Sequence, residues 1–238
     1  MHRPERNVIC TIVFLLTSAT SFGQDTILNK YGLWVITEVK MLKKTIAENP
    51  YKQMTDLQQL IPELILDFRY ATAGNFMNKR LYPNIKTSYL RKPAADSLAV
   101  IEKLLKEMGL GLKIFDAYRP YSVTEKMWEL IQDDRYTADP KHGSGHNRGT
   151  AVDLTLINLT TSQELNMGTG FDNFSDSAHH SFTNLPEEVL QNRLLLKKMM
   201  EQHGFKAFDT EWWHYSLPNA TDFELLDIPF KKLNKAIK

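Results

Sequence analysis

The stretch Ser144-Gly145-His146-Asn147-Arg148-Gly149-Thr150-Ala151-Val152-Asp153-Leu154-Thr155-Leu156 passes from a glycine-bearing loop into a two-residue alternation. From Thr150 onward, Val152, Leu154 and Leu156 fall on one face and Ala151, Asp153 and Thr155 on the other, the period of a strand. An aspartate set between Val152 and Leu154 needs a partner, because a carboxylate left unpaired near a core is strongly unfavourable. Either a cation or nearby backbone N–H groups would serve. His146 lies earlier in the same stretch, and a turn at Gly149 can bring it back toward Asp153.

Working outward, Pro93 and the run AADSLAVIEKLLKEMG place Leu98, Ile101, Leu105 and Met108 on one helical stripe, opened by a proline and closed by Gly109. Residues 112–117 (LKIFDA) read as a strand that Arg119-Pro120 breaks. Ser122-x-x-Glu125 has the form of a capping box ahead of a helix whose Met127, Leu130 and Ile131 face the core. Residues 63–69 alternate, with Leu64, Leu66 and Phe68 on one face, and residues 71–83 (ATAGNFMNKRLYP) predict a surface loop. After a long excursion over 166–183, residues 186–203 predict a helix carrying Val189, Leu190, Arg193, Leu194 and Met200, stopped at Gly204. Two short strands, 205–208 and 211–217, follow. Without a βαβ rhythm, an internal repeat or a linker, the expectation is an α+β single domain, a small mostly antiparallel sheet flanked by helices.

Composition narrows the function classes. The chain has 238 residues, 42% apolar and 24% charged, which suits a folded core and excludes collagen-like or low-complexity classes. Its 29 Lys+Arg against 28 Asp+Glu give +1, so bulk charge draws it to neither nucleic acid nor an anionic membrane. Residues 1–23 combine a basic lead (His2, Arg3, Arg6), an apolar run at 8–16 too short to span a bilayer comfortably, and small residues before Gln24. This pattern predicts a signal peptide and an exported, periplasmic protein with no membrane segment after cleavage, the alternative being that the same apolar run stays as an uncleaved membrane anchor. Without that segment, which holds Arg3, Arg6 and Glu5, the charge balance is 27 to 27. Cys10, the one cysteine, also falls inside it, so any metal site in the rest must be built from His, Asp and Glu. Residues 24–55 carry no chemical signal and read as an N-terminal extension to a domain over 56–238.

Six histidines lie beyond residue 23: His142, His146, His179, His180, His203 and His214. His203 sits at a helix C-terminus, where an imidazole meets the negative end of the dipole, a structural role. His179-His180 adjoin Asp176 in a polar loop and can stand behind a site. His146 and Asp153, joined by His214 of Glu211-Trp212-Trp213-His214-Tyr215, make two imidazoles and one carboxylate, a set suited to zinc with a fourth position left to water. Glu211 is near enough to reach that water as a general base, and Trp212 and Trp213 can wall the site. The plainer alternative stays open at this point: Asp153 bonded to backbone, and EWWHY an aromatic strand in the core.

These segments resemble those of a known family. SGHNRGTAVDLTL and EWWHY are similar to the Ser-x-His-x-x-Gly-x-Ala-x-Asp and Glu-x-x-His signatures of the zinc D,D-peptidases, which include the VanY-type carboxypeptidases. DFRYATAGNF (67–76), FDAYRP (115–120), MGTGFD (167–172), SAHH (177–180) and NRLLLKKMMEQHGF (192–205) are similar specifically to VanX-type D-alanyl-D-alanine dipeptidases. The resemblance spans about residues 60–217 and leaves 24–55 and the tail after Pro218 outside. It implies one Zn2+ per chain in a central cleft, held by His146, Asp153 and His214, with Glu211 as catalytic base. It implies Arg119 as the residue stabilising the oxyanion, with Asp116 as its support. Tyr70, Asp116, Ser144 and Asp172 are implied for the pocket of a small D,D-dipeptide substrate, Asp172 being suited to the substrate ammonium. The implied reaction is hydrolysis of free D-alanyl-D-alanine to two D-alanines. The alternatives are a D,D-carboxypeptidase acting on peptidoglycan stem peptides and a non-catalytic, zinc-stabilised wall-binding module. Glu211 and Arg119 argue against the second, since a structural zinc needs neither.

Overall fold

The computed structural model describes residues 26–237; the signal-peptide reading of residues 1–23 lies outside them. β1 (Thr26–Leu28) and β2 (Trp34–Ile36) form an antiparallel pair followed by α1 (Val39–Glu48). β3 (Met54–Asp56), α2 (Leu57–Leu60) and the short β4 (Ile65–Leu66) come next. β5 (Tyr89–Arg91) pairs with β3 and runs into α3 (Lys92–Glu107), β6 (Leu110–Asp116) and α4 (Tyr121–Leu130). The one-turn α5 (Gly145–Arg148), β7 (Ala151–Asn158), α6 (Glu187–Gln202), β8 (Lys206–Phe208) and β9 (Glu211–Ser216) follow. β10 (Leu225–Leu226) and α7 (Phe230–Ile237) end the described chain.

The main sheet has the order β4-β6-β7-β9-β8, antiparallel except for the β4–β6 pair, so the α+β expectation holds. β7, the quoted strand, is its middle member, and every residue from Ala151 to Ile157 is buried because layers cover both faces. Val152, Leu154 and Leu156 share the larger core with Leu98, Ile101 and Leu105 of α3. Met108, expected on that stripe, is instead half exposed, since α3 ends at Glu107 and the chain turns away.

Several local expectations do not hold. The strand over 63–69 shrinks to Ile65–Leu66, its pairing with β6 lasting only two residues. The capping box at Ser122 does not form. α4 starts at Tyr121 after Pro120, and the Ser122 N–H and hydroxyl both donate to Oδ1 of Asp227, at 3.1 and 2.8 Å. A carboxylate from the far end of the chain thus meets the positive end of α4. Of that helix's apolar residues Met127 is buried, whereas Leu130, in its last turn, is exposed. The 71–83 segment is irregular as predicted, yet it buries Tyr82 rather than lying wholly on the surface.

The segments without chemical signal build a second core. β2 pairs in parallel with β10, Val35 opposite Leu225 and Ile36 opposite Leu226. Ile36 and Leu42 pack with Leu226, Ile228, Phe230 and Leu233 in the same cluster as Tyr70, Tyr82 and Tyr118. Arg91, fully buried, donates to the carbonyls of Lys52, Arg148 and Glu224, fastening the N-terminal segment and the tail to α5. Among the described residues no helix is long and apolar enough to cross a membrane.

Candidate active site

Sheet register assembles the first part of the site. Asp116 of β6 stands opposite Asp153 of β7, which stands opposite His214 of β9, so three chemistry-bearing residues lie in one row across adjacent strands. A register shift between Ile114 and Asp116 re-aims the end of β6. His146 arrives from α5. Ser144 Oγ accepts from the Asn147 N–H (3.1 Å) while Asn147 Oδ1 accepts from the Ser144 N–H (3.0 Å), a capping box in a segment the sequence shows only as loop. Gly149, at φ +71°, makes the left-handed turn that ends α5 and sends the chain into β7. Asn147 Nδ2 also donates to the Arg119 carbonyl (3.0 Å), and the Arg119 N–H donates to the His146 carbonyl (3.1 Å). The histidine and the arginine are therefore held by one backbone knot, and Asn147 is a site residue the sequence reading missed.

His146 Nε2, His214 Nδ1 and Asp153 Oδ1 converge. The two nitrogens are 3.2 Å apart, and Oδ1 is 2.9 Å from His214 Nδ1 and 3.3 Å from His146 Nε2. His146 Nδ1 lies 2.7 Å from the Ala117 carbonyl, an acceptor only, so that nitrogen carries the proton and Nε2 offers its lone pair to the centre. Burial pushes His214 down, toward the neutral ring. Burial alone would raise Asp153, but the imidazoles of His146 and His214 outweigh it and hold the carboxyl well below the usual range. Ligands about 2.0–2.1 Å from a tetrahedral zinc sit roughly 3.3 Å from one another, so this N, N, O set fits that ion.

Strict alternation along β9 would put Glu211 and His214 on opposite faces. The register against β8 jumps, however, from Ala207 opposite Tyr215 to Phe208 opposite Glu211, and the intervening Trp212, Trp213 and His214 bow away from it. Glu211 Oε2 consequently lies 3.8 Å from His214 Nδ1, beside the cluster but not in it. Burial, reinforced by the carboxylates of Asp153 and Asp172, raises the Glu211 pKa well above the ordinary value. Trp213 lines the cavity as expected. Trp212 does not: its indole N–H donates to Thr169 Oγ1 at 2.8 Å.

Arg119 borders the same cavity of about 290 Å³, together with Tyr70, Ser144, Asp172 and Glu211. Its Nε and Nη2 donate to Asp116 Oδ2 at 3.0 and 2.9 Å, and Nη2 is 3.8 Å from Asp153 Oδ2. Asp116 is fully buried beneath the guanidinium and is not among the residues that line the cavity. The Tyr82 hydroxyl donates to both Asp116 oxygens (2.9 and 3.1 Å), a partner invisible in the sequence because Tyr82 sits in the loop-like 71–83 segment. Tyr82→Phe leaves that carboxylate one donor short, and a loss of about 1–3 kcal/mol is expected in denaturant unfolding. An unchanged midpoint would rule out a stabilising role for this bond.

Asp172 has the left-handed φ of +60°, and its Oδ1 accepts from the Tyr70 hydroxyl at 2.9 Å. Its Oδ2 is buried without a partner, and burial pushes the Asp172 pKa up to about 7. His179 and His180 do not line the cavity; the His180 N–H donates to the Asp209 carbonyl in the turn before Glu211. His203 Nδ1 lies 2.7 Å from the Met199 carbonyl at the end of α6, in line with its structural reading.

The family model Peptidase_M15, D-ala-D-ala dipeptidase, matches residues 51–235. The chain is similar to the D-alanyl-D-alanine dipeptidase of Escherichia coli (strain K12), 37% identical over 174 residues, 73% of this chain and 89% of the relative. It is 30% identical over 181 residues to the protein of that name from Enterococcus faecalis (strain ATCC 700802 / V583), covering 68% of this chain and 89% of the relative. The family match extends past Pro218, where the motif resemblance stops, and takes in β10.

Proposed function

The chain belongs to the Peptidase_M15 family of D-ala-D-ala dipeptidases, and we propose that it hydrolyses free D-alanyl-D-alanine with one zinc ion held by His146, Asp153 and His214. The observation that carries this reading is the convergence of three donor atoms, within 4.8 Å of one another, beside Glu211 and Arg119 in a single cavity. Zinc, when bound, supplies a Lewis acid that polarises the amide carbonyl and eases the ionisation of water.

The chain's own residues do the rest. Glu211, beside the converging donor set, accepts the proton of the attacking water and delivers it to the departing amine. Arg119, fixed by two bonds to Asp116, presents a guanidinium to the negative charge that grows on the carbonyl oxygen. Tyr70 occupies one oxygen of Asp172 and orients the carboxylate, which pairs with the free ammonium of the substrate. A cavity of about 290 Å³ suits a ligand as small as a dipeptide.

Comparing D-alanyl-D-alanine with its N-acylated form tests the assignment. Acylation removes the ammonium and leaves Asp172 without its partner, so kcat/KM is expected to fall roughly 10²–10³-fold. Equal cleavage of both would replace this reading with a D,D-carboxypeptidase.

A further inference from the structure

Arg193 is a charged side chain in the interior to which the reaction gives no part. It lies on the buried face of α6, and burial pushes its pKa down to about 10. Its partners are main-chain carbonyls: Nε donates to Met167 (2.7 Å), Nη2 to Ser177 (2.9 Å) and Nη1 to His179 (3.3 Å). Burying a guanidinium against neutral acceptors is a poor route to stability, but its planar fork fixes several points in space at once.

Those points are the two ends of one loop. Between them run residues 168–176, whose tip reaches the cavity through Asp172. Further contacts with α6 hold the first end. Asn192 Nδ2 donates to the Asn166 carbonyl at 3.0 Å, and Gly168 (φ +81°) sits so close that a Cβ there would lie 2.9 Å from Val189 Cγ1. Nearer the tip, Thr169 takes the Trp212 N–H, and Phe171 stacks on Phe115 with ring centroids 4.8 Å apart. Phe174 meets Phe76 edge-on.

We propose that Arg193 is a positioning residue for substrate recognition, closing the base of the 167–179 loop so that Asp172 stands where it can meet the substrate ammonium. The proposal rests on the reading of Asp172 given above. Arg193→Lys keeps the charge and loses the fork, so the loop end slips while the metal ligands, on other elements, stay in place.

The test is a double-mutant cycle on the zinc-loaded enzyme with D-alanyl-D-alanine as substrate. R193K is expected to raise KM roughly 10–100-fold, the scale of an ångström-sized misplacement, with kcat and zinc content little changed. D172N raises KM as well, and R193K/D172N is no worse than D172N alone, because Arg193 acts through Asp172. Wild-type KM in R193K, or effects that multiply in the double variant, would overturn the proposal. Should D172N leave KM unaltered, the ammonium reading fails on its own account. Hydrogen exchange of the amides at 169–175 then still decides: faster exchange in R193K supports positioning by Arg193, and unchanged exchange refutes it. If R193K does not fold, G168A, which keeps the guanidinium but pushes the loop end off α6, is expected to give the same rise in KM, and its absence counts against the proposal.

Discussion

Glu211→Gln is expected to lower kcat on D-alanyl-D-alanine roughly 10²–10⁴-fold, the usual worth of a positioned general base, with zinc still bound. The amide keeps the size of the carboxylate and takes up no proton at working pH. Metal retention follows from geometry: the Glu211 oxygen is 3.8 Å from the nearest donor nitrogen and lies outside the converging set. Stability should move the other way. Burial and the facing carboxylates raise the Glu211 pKa in the folded state, so ionising it opposes folding. In metal-free protein its stabilising effect is fully present below the unfolded pKa, about 4.3, and is lost as pH rises through the folded value. The glutamine variant lacks that loss, so metal-free E211Q should melt no lower than metal-free wild type at neutral pH. A variant that turns over normally, or one that sheds its zinc, would remove Glu211 from the role assigned to it.

His146→Ala carries the other large effect, on the metal itself. Loss of an outer-shell partner commonly costs 10–100-fold in affinity, and loss of one of three protein donors exceeds that, so zinc content and turnover should both fall to background. The Ala117 carbonyl also loses its donor, a penalty of about 1–3 kcal/mol. Zinc raises the melting temperature of a protein that binds it only when folded, and that rise should vanish in H146A while persisting in E211Q. The two variants thus separate holding the ion from using it. Metal analysis after dialysis is the check, and wild-type stoichiometry in H146A would dismantle the proposed centre.

The sequence was most legible where a single element answers to its own periodicity. The alternation from Thr150 to Leu156 is β7, and the stripe Leu98, Ile101 and Leu105 is the buried face of α3. It was least legible where one segment completes another. Asp227, not Glu125, serves the start of α4; Tyr82, from a stretch rich in loop formers, secures Asp116; and Trp212 turns from the cavity to Thr169. No short window of sequence contains both members of any of these pairs.

The candidate site divides in the same way. The chain's order of residues suggested the inventory, His146, Asp153, His214 and Glu211 by donor type and spacing and Arg119 by the resemblance of its motif, because these are properties of the covalent chain. Only the tertiary structure decided that they meet. Asp116, Asp153 and His214 share a row through the pairing of three strands, and Glu211 reaches the same side as His214 through a slip in register against β8. Strand pairing and its irregularities are set by packing between segments tens of residues apart, and local pattern carries no record of that balance.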